Sequence, residues 1–295
     1  MRVASAKYPV EAPPDFEAFA AKQARLLGEA AAAGVRIAVL PEYLSLELAS
    51  TFHEAVRSDL SASLRALQAH HSEWMRLFSR LAVQYRMQVV AGTFLLDDGQ
   101  GRYRNRSYWF TPTGSHGWQD KLQLTRFERN SGQIRAGDAL KVFEAEGVRS
   151  GVAVCYDSEF PLPVRAQAEA GARLLLVPSC TDTEAGATRV RVGCLARALE
   201  NRIFVVHAVT AGNVPWHPAL DTNTGEATVY APMDVGLPAD GILARTCGSQ
   251  VWACADLDFE ALDASRDRAQ VANDRDWPAQ LAPGLSRARL GQFET

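Results

Sequence analysis

Four short apolar runs, Val35 to Leu40, Val148 to Cys155, Arg173 to Pro178 and Ile203 to Val209, give way to proline or polar residues, with helical stretches between them. Runs of this length bounded by turn signals read as buried strands, and strands alternating with helices build sheets covered by helices. The rest of the chain supplies matching parts. Residues 2 to 8 alternate as a strand, and Pro13-Pro14-Asp15 opens an Ala-rich helix with Phe16, Phe19, Leu26 and Leu27 on one side, ending at Gly34. Leu64, Leu67, Trp74, Leu77, Phe78 and Leu81 predict a second helix running to about Tyr85. Met87 to Leu96 and Arg102 to Pro112, joined by the turn Asp97-Asp98-Gly99-Gln100-Gly101, predict a hairpin to which Trp118 to Asp120 adds a third strand. A further helix is expected from about Gly186 to Asn201. After Gly212 the pattern changes to short strands, Ala227 to Tyr230, Ile242 to Thr246 and Val251 to Leu257.

The sequence holds no repeat and no linker-like segment, so one α/β domain is expected over residues 1–265. The polar residues 266–295, with Trp277-Pro278 and Pro283-Gly284, are expected to form a tail packed on this subunit or at an interface with a neighbour. Arg102, Arg104 and Arg106 share one face of their strand and read as a solvated sheet face.

Composition narrows the function. With 47% hydrophobic residues in 295, a sizeable core is assured. A formal charge of −3 supplies no field for gathering phosphates, so no nucleic acid is expected as a partner. Met1 leads directly into strand-like residues with no signal-peptide core, and no stretch approaches a membrane span, which predicts a cytoplasmic protein away from the membrane. Cys155, Cys180, Cys194, Cys247 and Cys254 are odd in number and form no CxxC pair, arguing against a disulfide framework and a thiolate zinc site. No metal or cofactor is expected. The sequon Asn105-Arg106-Ser107 reads as chance.

Three polar residues stand where chemistry is expected. Cys155 follows a buried strand and precedes a helix start at Pro161, a place where unpaired N–H groups and the helix dipole should lower a thiol pKa. Glu42 holds the equivalent position after Val39-Leu40-Pro41, and Lys121 follows the hairpin region. Taken singly, each has a bland reading: a core cysteine, a loop carboxylate, a solvated lysine. Together they match the needs of amide cleavage. A thiolate forms the tetrahedral adduct, an ammonium holds the oxyanion, and a carboxylate carries the proton from thiol to departing nitrogen.

The order Pro41-Glu42-Tyr43, Lys121-Leu122, then Val154-Cys155-Tyr156-Asp157 with Phe160-Pro161 resembles the nitrilase superfamily of carbon-nitrogen hydrolases, with Ala91-Gly92-Thr93, Pro178-Ser179 and Arg197-Ala198-Leu199-Glu200-Asn201 in support. The resemblance implies a four-layer αββα sandwich and a hydrolase acting on carbon-nitrogen bonds other than peptide bonds, by way of a cysteine thioester. It makes Glu42 the general base, Lys121 the oxyanion stabiliser and Cys155 the nucleophile. The Tyr156 N–H becomes a second oxyanion donor, and Glu128 an acid that orients Lys121 or the substrate nitrogen. It also implies a homodimer or larger homo-oligomer formed through helices beside the active site. Many relatives carry arginine where this chain has Glu159. The stretches around Cys155 to Pro161, Pro178 to Thr183 and Arg189 to Cys194 are similar to a branch sometimes fused to an acetyltransferase domain, which is not present here.

A small amide is the expected substrate. Nitrile or N-carbamoyl hydrolysis and acyl transfer are alternatives served by the same triad, and an inactive ligand-binding member is the alternative from another class. Tyr43, Glu159, Thr181, Asp182 and Trp216 are the expected substrate-binding residues. If Glu159 and Asp182 face the pocket, they favour a substrate bearing an amine. The other reading has Glu159 at its helix N-terminus and Asp182 capping the next helix. His207 and His217 are read as structural.

Overall fold

In the strand Ile37–Leu40, Ile37 and Val39 enter one hydrophobic cluster while Ala38 and Leu40 enter another. A strand buried on both faces, with side chains alternating every residue, requires such a division. The computed structural model describes residues 1–285 and 287–291. Its strands are β1 Arg2–Pro9, β2 Ile37–Leu40, β3 Gln88–Asp97, β4 Tyr103–Phe110, β5 His116–Asp120, β6 Ile134–Arg135 and β7 Val142–Ala145. Then come β8 Val148–Val152, β9 Leu174–Ser179, β10 Phe204–Asn213, β11 Thr222–Asn223, β12 Thr228–Tyr230, β13 Ile242–Arg245 and β14 Trp252–Asp256. The helices are α1 Phe16–Ala32, α2 Glu54–Arg57, α3 Leu60–Leu67, α4 His71–Tyr85, α5 Arg126–Ser131, α6 Pro161–Glu169, α7 Glu184–Asn201, α8 Phe259–Ala264 and α9 Asn273–Asp276.

The strands follow the order β5-β4-β3-β2-β1-β10-β9-β8-β7. β1 joins the two halves: Val3 to Ser5 pair with β2, whereas Lys7 to Pro9 pair with β10. On its other side β14 runs antiparallel to residues Arg2 to Ala6. α1 and α4 bury Phe19, Leu26, Leu27, Trp74, Phe78 and Leu81 against one face of the first half. The opposite face meets the second half through Val3, Ile37, Val39 and Val90, and α6 and α7 cover the far side with Val164, Val190, Cys194 and Ala198. The result is a four-layer αββα sandwich. β2, β3, β8, β9 and β10 are parallel to β1 or to one another, so their C-terminal ends gather along one rim.

Two expectations need correcting. The helix expected to run to Tyr85 is broken between α3 and α4 by the 3-10 turn Gln68–His70. There the Gln68 amide donates to the Leu64 carbonyl at 2.8 Å and the Leu95 carbonyl at 2.9 Å, tying the break to β3. The arginine face of β4 is also less solvated than expected. Arg106 makes a two-pronged pair with Asp120 at 2.7 and 2.9 Å, and Arg104 pairs with Asp138 at 3.0 Å, so both are half-buried while Arg102 is exposed.

Of the expected tail, Asp274 and Trp277 lie on α6 of their own chain. Arg165 donates to the Asp274 carbonyl at 3.2 Å and lies over the Trp277 ring at 5.0 Å. Ser286 and residues 292–295 lie outside the described residues. No helix among the described residues is long and apolar enough to cross a membrane.

Candidate active site

Glu42, Lys121 and Cys155 meet at the rim where the strand ends gather. Pro41 ends β2, and Tyr43 turns the chain sharply with φ 61°. The Tyr43 N–H donates to Thr93 Oγ1 at 2.8 Å. Thr93 reaches it because β3 bulges between Val90 and Thr93, with Gly92 at φ 60°. A Cβ on Gly92 would stand 2.0 Å from the Pro41 carbonyl oxygen, so only glycine lets β3 pass there.

Lys121 follows β5 directly and is buried. Its Nζ lies 2.8 Å from Glu42 Oε1 and 2.8 Å from Glu128 Oε2. Burial opposes its charge, but Glu42 and Glu128 outweigh that and hold the ammonium protonated. Glu128 is fixed by a capping box at the start of α5: its Oε2 accepts from the Thr125 N–H at 2.8 Å. Tyr43 also donates its hydroxyl to Glu128 Oε1 at 2.9 Å. Burial alone would raise the Glu128 carboxyl, yet Lys121 and the surrounding donors bring it below the ordinary range. For Glu42 burial prevails over Lys121, with Glu128 adding to it, and the carboxyl is raised.

Cys155 stands at φ 49°, a strained left-handed conformation for a residue with a side chain. Its thiol donates to the Cys180 carbonyl at 3.5 Å and lies near enough to Glu42 for each to shift the other's titration. The expected lowering of its pKa is reversed: burial pushes the thiol well up, and the Glu42 charge pushes it further, against the pull of Lys121. The helix dipole gives little help, because a five-residue 3-10 segment, Cys155–Glu159, intervenes before α6. Tyr156 lines the same cavity, and its N–H has no hydrogen-bond partner among the described residues.

Two residues escaped the sequence reading. Asn105, the sequon asparagine, is buried and donates to Glu42 Oε1 at 2.8 Å and Glu128 Oε1 at 3.0 Å. Its signal lay in the alternation of β4, where Tyr103, Asn105 and Ser107 share the inward face. Asp157 is buried too and accepts from Leu122 N at 3.1 Å, Gln123 N at 2.6 Å and Val154 N at 3.2 Å. It thereby staples the Lys121 loop to the Cys155 loop. Burial raises its carboxyl to about 6 despite Lys121 and those donors.

The cavity beside Cys155 measures about 300 Å³, at the lower end for small-molecule sites. Tyr43 and Thr181 line it, and so do Glu159 and Asp182, whose direction the sequence left open. Trp216 does not. The turn closed by the His217 N–H to Val214 and the Leu220 N–H to His217 directs Pro218 and Ala219 at the cavity, while Trp216 packs against the first core. Glu159 lies 3.6 Å from Arg189, and Thr183, not Asp182, caps α7. His217 is buried beside Ser63, its Nε2 3.1 Å from the Ser63 hydroxyl. His207 is buried in the core against Tyr230. Among the described residues no three His, Cys, Asp or Glu side chains are grouped to hold a metal ion.

Fold and site together define an αββα sandwich built around a buried cysteine, a lysine and two carboxylates. Residues 2–243 match the carbon-nitrogen hydrolase family, and the chain belongs to it. It is 31% identical over 277 residues to the Bacillus subtilis protein named probable hydrolase YhcX, an overlap of 94% of this chain and 53% of that protein. The chain thus spans about half the length of that relative. The Xenopus laevis omega-amidase NIT2-B is 24% identical over 263 residues, covering 86% of this chain and 88% of that one. The crystal structure of Saccharomyces cerevisiae Nit3, a member of branch 10 of the nitrilase superfamily, has the same fold: TM-score 0.72 at 22% identity, covering 93% of this chain and 96% of that one.

Proposed function

We propose that the protein hydrolyses the carbon-nitrogen bond of a small amide through a thioester on Cys155. The observation that carries this reading is that the Lys121 ammonium and the Cys155 thiol line one small cavity, with the buried Glu42 carboxylate paired to Lys121 at 2.8 Å and its charge acting on the same sulfur. Glu42 accepts the thiol proton as the sulfur attacks the carbonyl carbon, and the oxyanion faces Lys121 and the Tyr156 N–H. The proton then passes from Glu42 to the nitrogen, the carbon-nitrogen bond breaks, and the amine leaves. Water, deprotonated by Glu42, attacks the thioester and releases the acid. A thiol and a carboxyl both raised by burial suit this reading, since one proton can move between them without a thiolate standing exposed at rest.

The substrate we infer carries an ammonium group. Glu159, Asp182 and Asp221 line the cavity with Lys121, Arg126 and Arg189, and because Lys121 is already paired with Glu42 and Glu128, the three acids face only the two arginines. Ammonia release from 4-aminobutyramide, propionamide and succinamic acid checks both points. Turnover should fall in that order and vanish in Cys155→Ala; preference for succinamic acid would reject the ammonium. Exposed Leu162 on α6 and Val192 on α7 support a homodimer joined through these helices beside the site. The five free cysteines suit a cytoplasmic setting.

A further inference from the structure

We propose that Asn105 is a positioning residue that divides the labour between Glu42 and Glu128, leaving Glu42 Oε2, the least engaged of their four oxygens, to exchange a proton with Cys155. This rests on the reading of Glu42 as the base of an amide hydrolase.

The argument follows from counting donors. Lys121 and Asn105 both bridge the two carboxylates, closing a buried ring of four side chains. Glu128 Oε1 accepts from Tyr43 and Asn105, and its Oε2 accepts from Lys121 and from the Thr125 N–H and hydroxyl. A carboxylate so fully engaged stays ionised and makes a poor base. Glu42 is treated unequally. Its Oε1 is taken by Lys121 and Asn105, each at 2.8 Å, whereas Oε2 accepts only the N–H of Cys180, at 3.1 Å, the residue whose carbonyl accepts from the Cys155 thiol. The Asn105 amide has two protons and gives one to each acid. Its Oδ1 is buried without a partner among the described residues, so the two carboxylates alone fix which way the amide faces. A reversed amide would set its oxygen against both acids.

Losing this donor removes a bond that favours ionised Glu42 and lets the two acids repel each other more strongly, so Glu42 should titrate at higher pH. The test is kcat/KM against pH for the wild type, Asn105→Leu and Asn105→Asp, using whichever of the three amides above is turned over best. The acid limb of that profile reports the free base. It should move up by about one pH unit in Asn105→Leu and further in Asn105→Asp, which adds a third carboxylate around one ammonium. Thermal unfolding identifies the folded variants, and the isosteric aspartate carries the test if the leucine variant fails to fold. A limb at the wild-type pH, with activity lost only in proportion to folded protein, overturns the role of Asn105 and leaves the hydrolase reading standing. A wild-type protein that neither cleaves any of the three amides nor forms an acyl adduct overturns the hydrolase reading, and the role of Asn105 with it.

Discussion

The sulfur of Cys155 feels opposite charges from its two partners, Glu42 raising its pKa and Lys121 lowering it. Glu42→Gln should therefore lower the thiol pKa and Lys121→Met should raise it. The ultraviolet absorbance of the thiolate, measured against Cys155→Ala, gives both signs; a shift in the same direction for both would contradict the placement of the charges. Hydrolysis should fall in both variants, by about 100-fold to 1,000-fold for the lost lysine, the usual cost of an oxyanion donor. Glu42 and Cys155 were legible as polar residues where apolar strands stop, whereas Lys121, after the polar strand β5, gained meaning only beside them and through the family motif. Their surroundings were less so. Asn105 was hidden within a sequon, and the capping signature Thr125-x-x-Glu128, although present in the sequence, does not say that its carboxylate also reaches a lysine. The direction of the Cys155 shift was missed because burial and a neighbouring acid, both products of tertiary packing, outweigh the local helix start.

Among the elements, the bulge in β3 does most to place the base, since Gly92 lets Thr93 hold the Tyr43 turn just after Glu42. Gly92→Ala drives a methyl group into the Pro41 carbonyl and should cost at least about 1–3 kcal/mol. The midpoint of urea unfolding measures that loss, and hydrolysis by the folded fraction should fall as well, because Glu42 shifts with Pro41. An unchanged midpoint would mean the strands separate easily at this point. Most strands could be read from periodicity, β3 and β4 down to their turn, but the short β6, β7 and β11 were not. What periodicity could not reveal was the bulge, the break at Gln68 and the left-handed Cys155, since each is imposed by contacts from distant parts of the chain. Trp216 illustrates the same limit: an aromatic beside a buried histidine was a fair candidate for the cavity wall, but the turn aims its neighbours there instead.

At the scale of the whole molecule, the αββα layering came from the family resemblance, while the residues alone gave an α/β chain with covered sheets. Sharing β1 between two halves is a long-range pairing that no local pattern encodes. The buried histidines make stability depend on pH. Burial lowers His207 and His217 to about 4, whereas in the unfolded chain they titrate near the ordinary 6.5. The unfolded state therefore binds more protons between these values, and stability is lost as pH falls from about 6.5 towards 4, by up to about 3 kcal/mol for each histidine. Asp157, raised from 3.8 to about 6, acts in the opposite sense, its contribution being lost as pH rises through that window. Urea midpoints should fall on acidification from pH 6.5, and less steeply in His207→Gln; parallel profiles would contradict a neutral, buried His207. The central claim is tested most directly by mixing the protein with an amide it cleaves, quenching in acid and mapping the acylated peptide by mass. Hydrolysis through a thioester predicts the added acyl mass on the peptide bearing Cys155 and none in Cys155→Ala; acylation of Cys180, Cys194, Cys247 or Cys254, or ammonia released by Cys155→Ala, would contradict it.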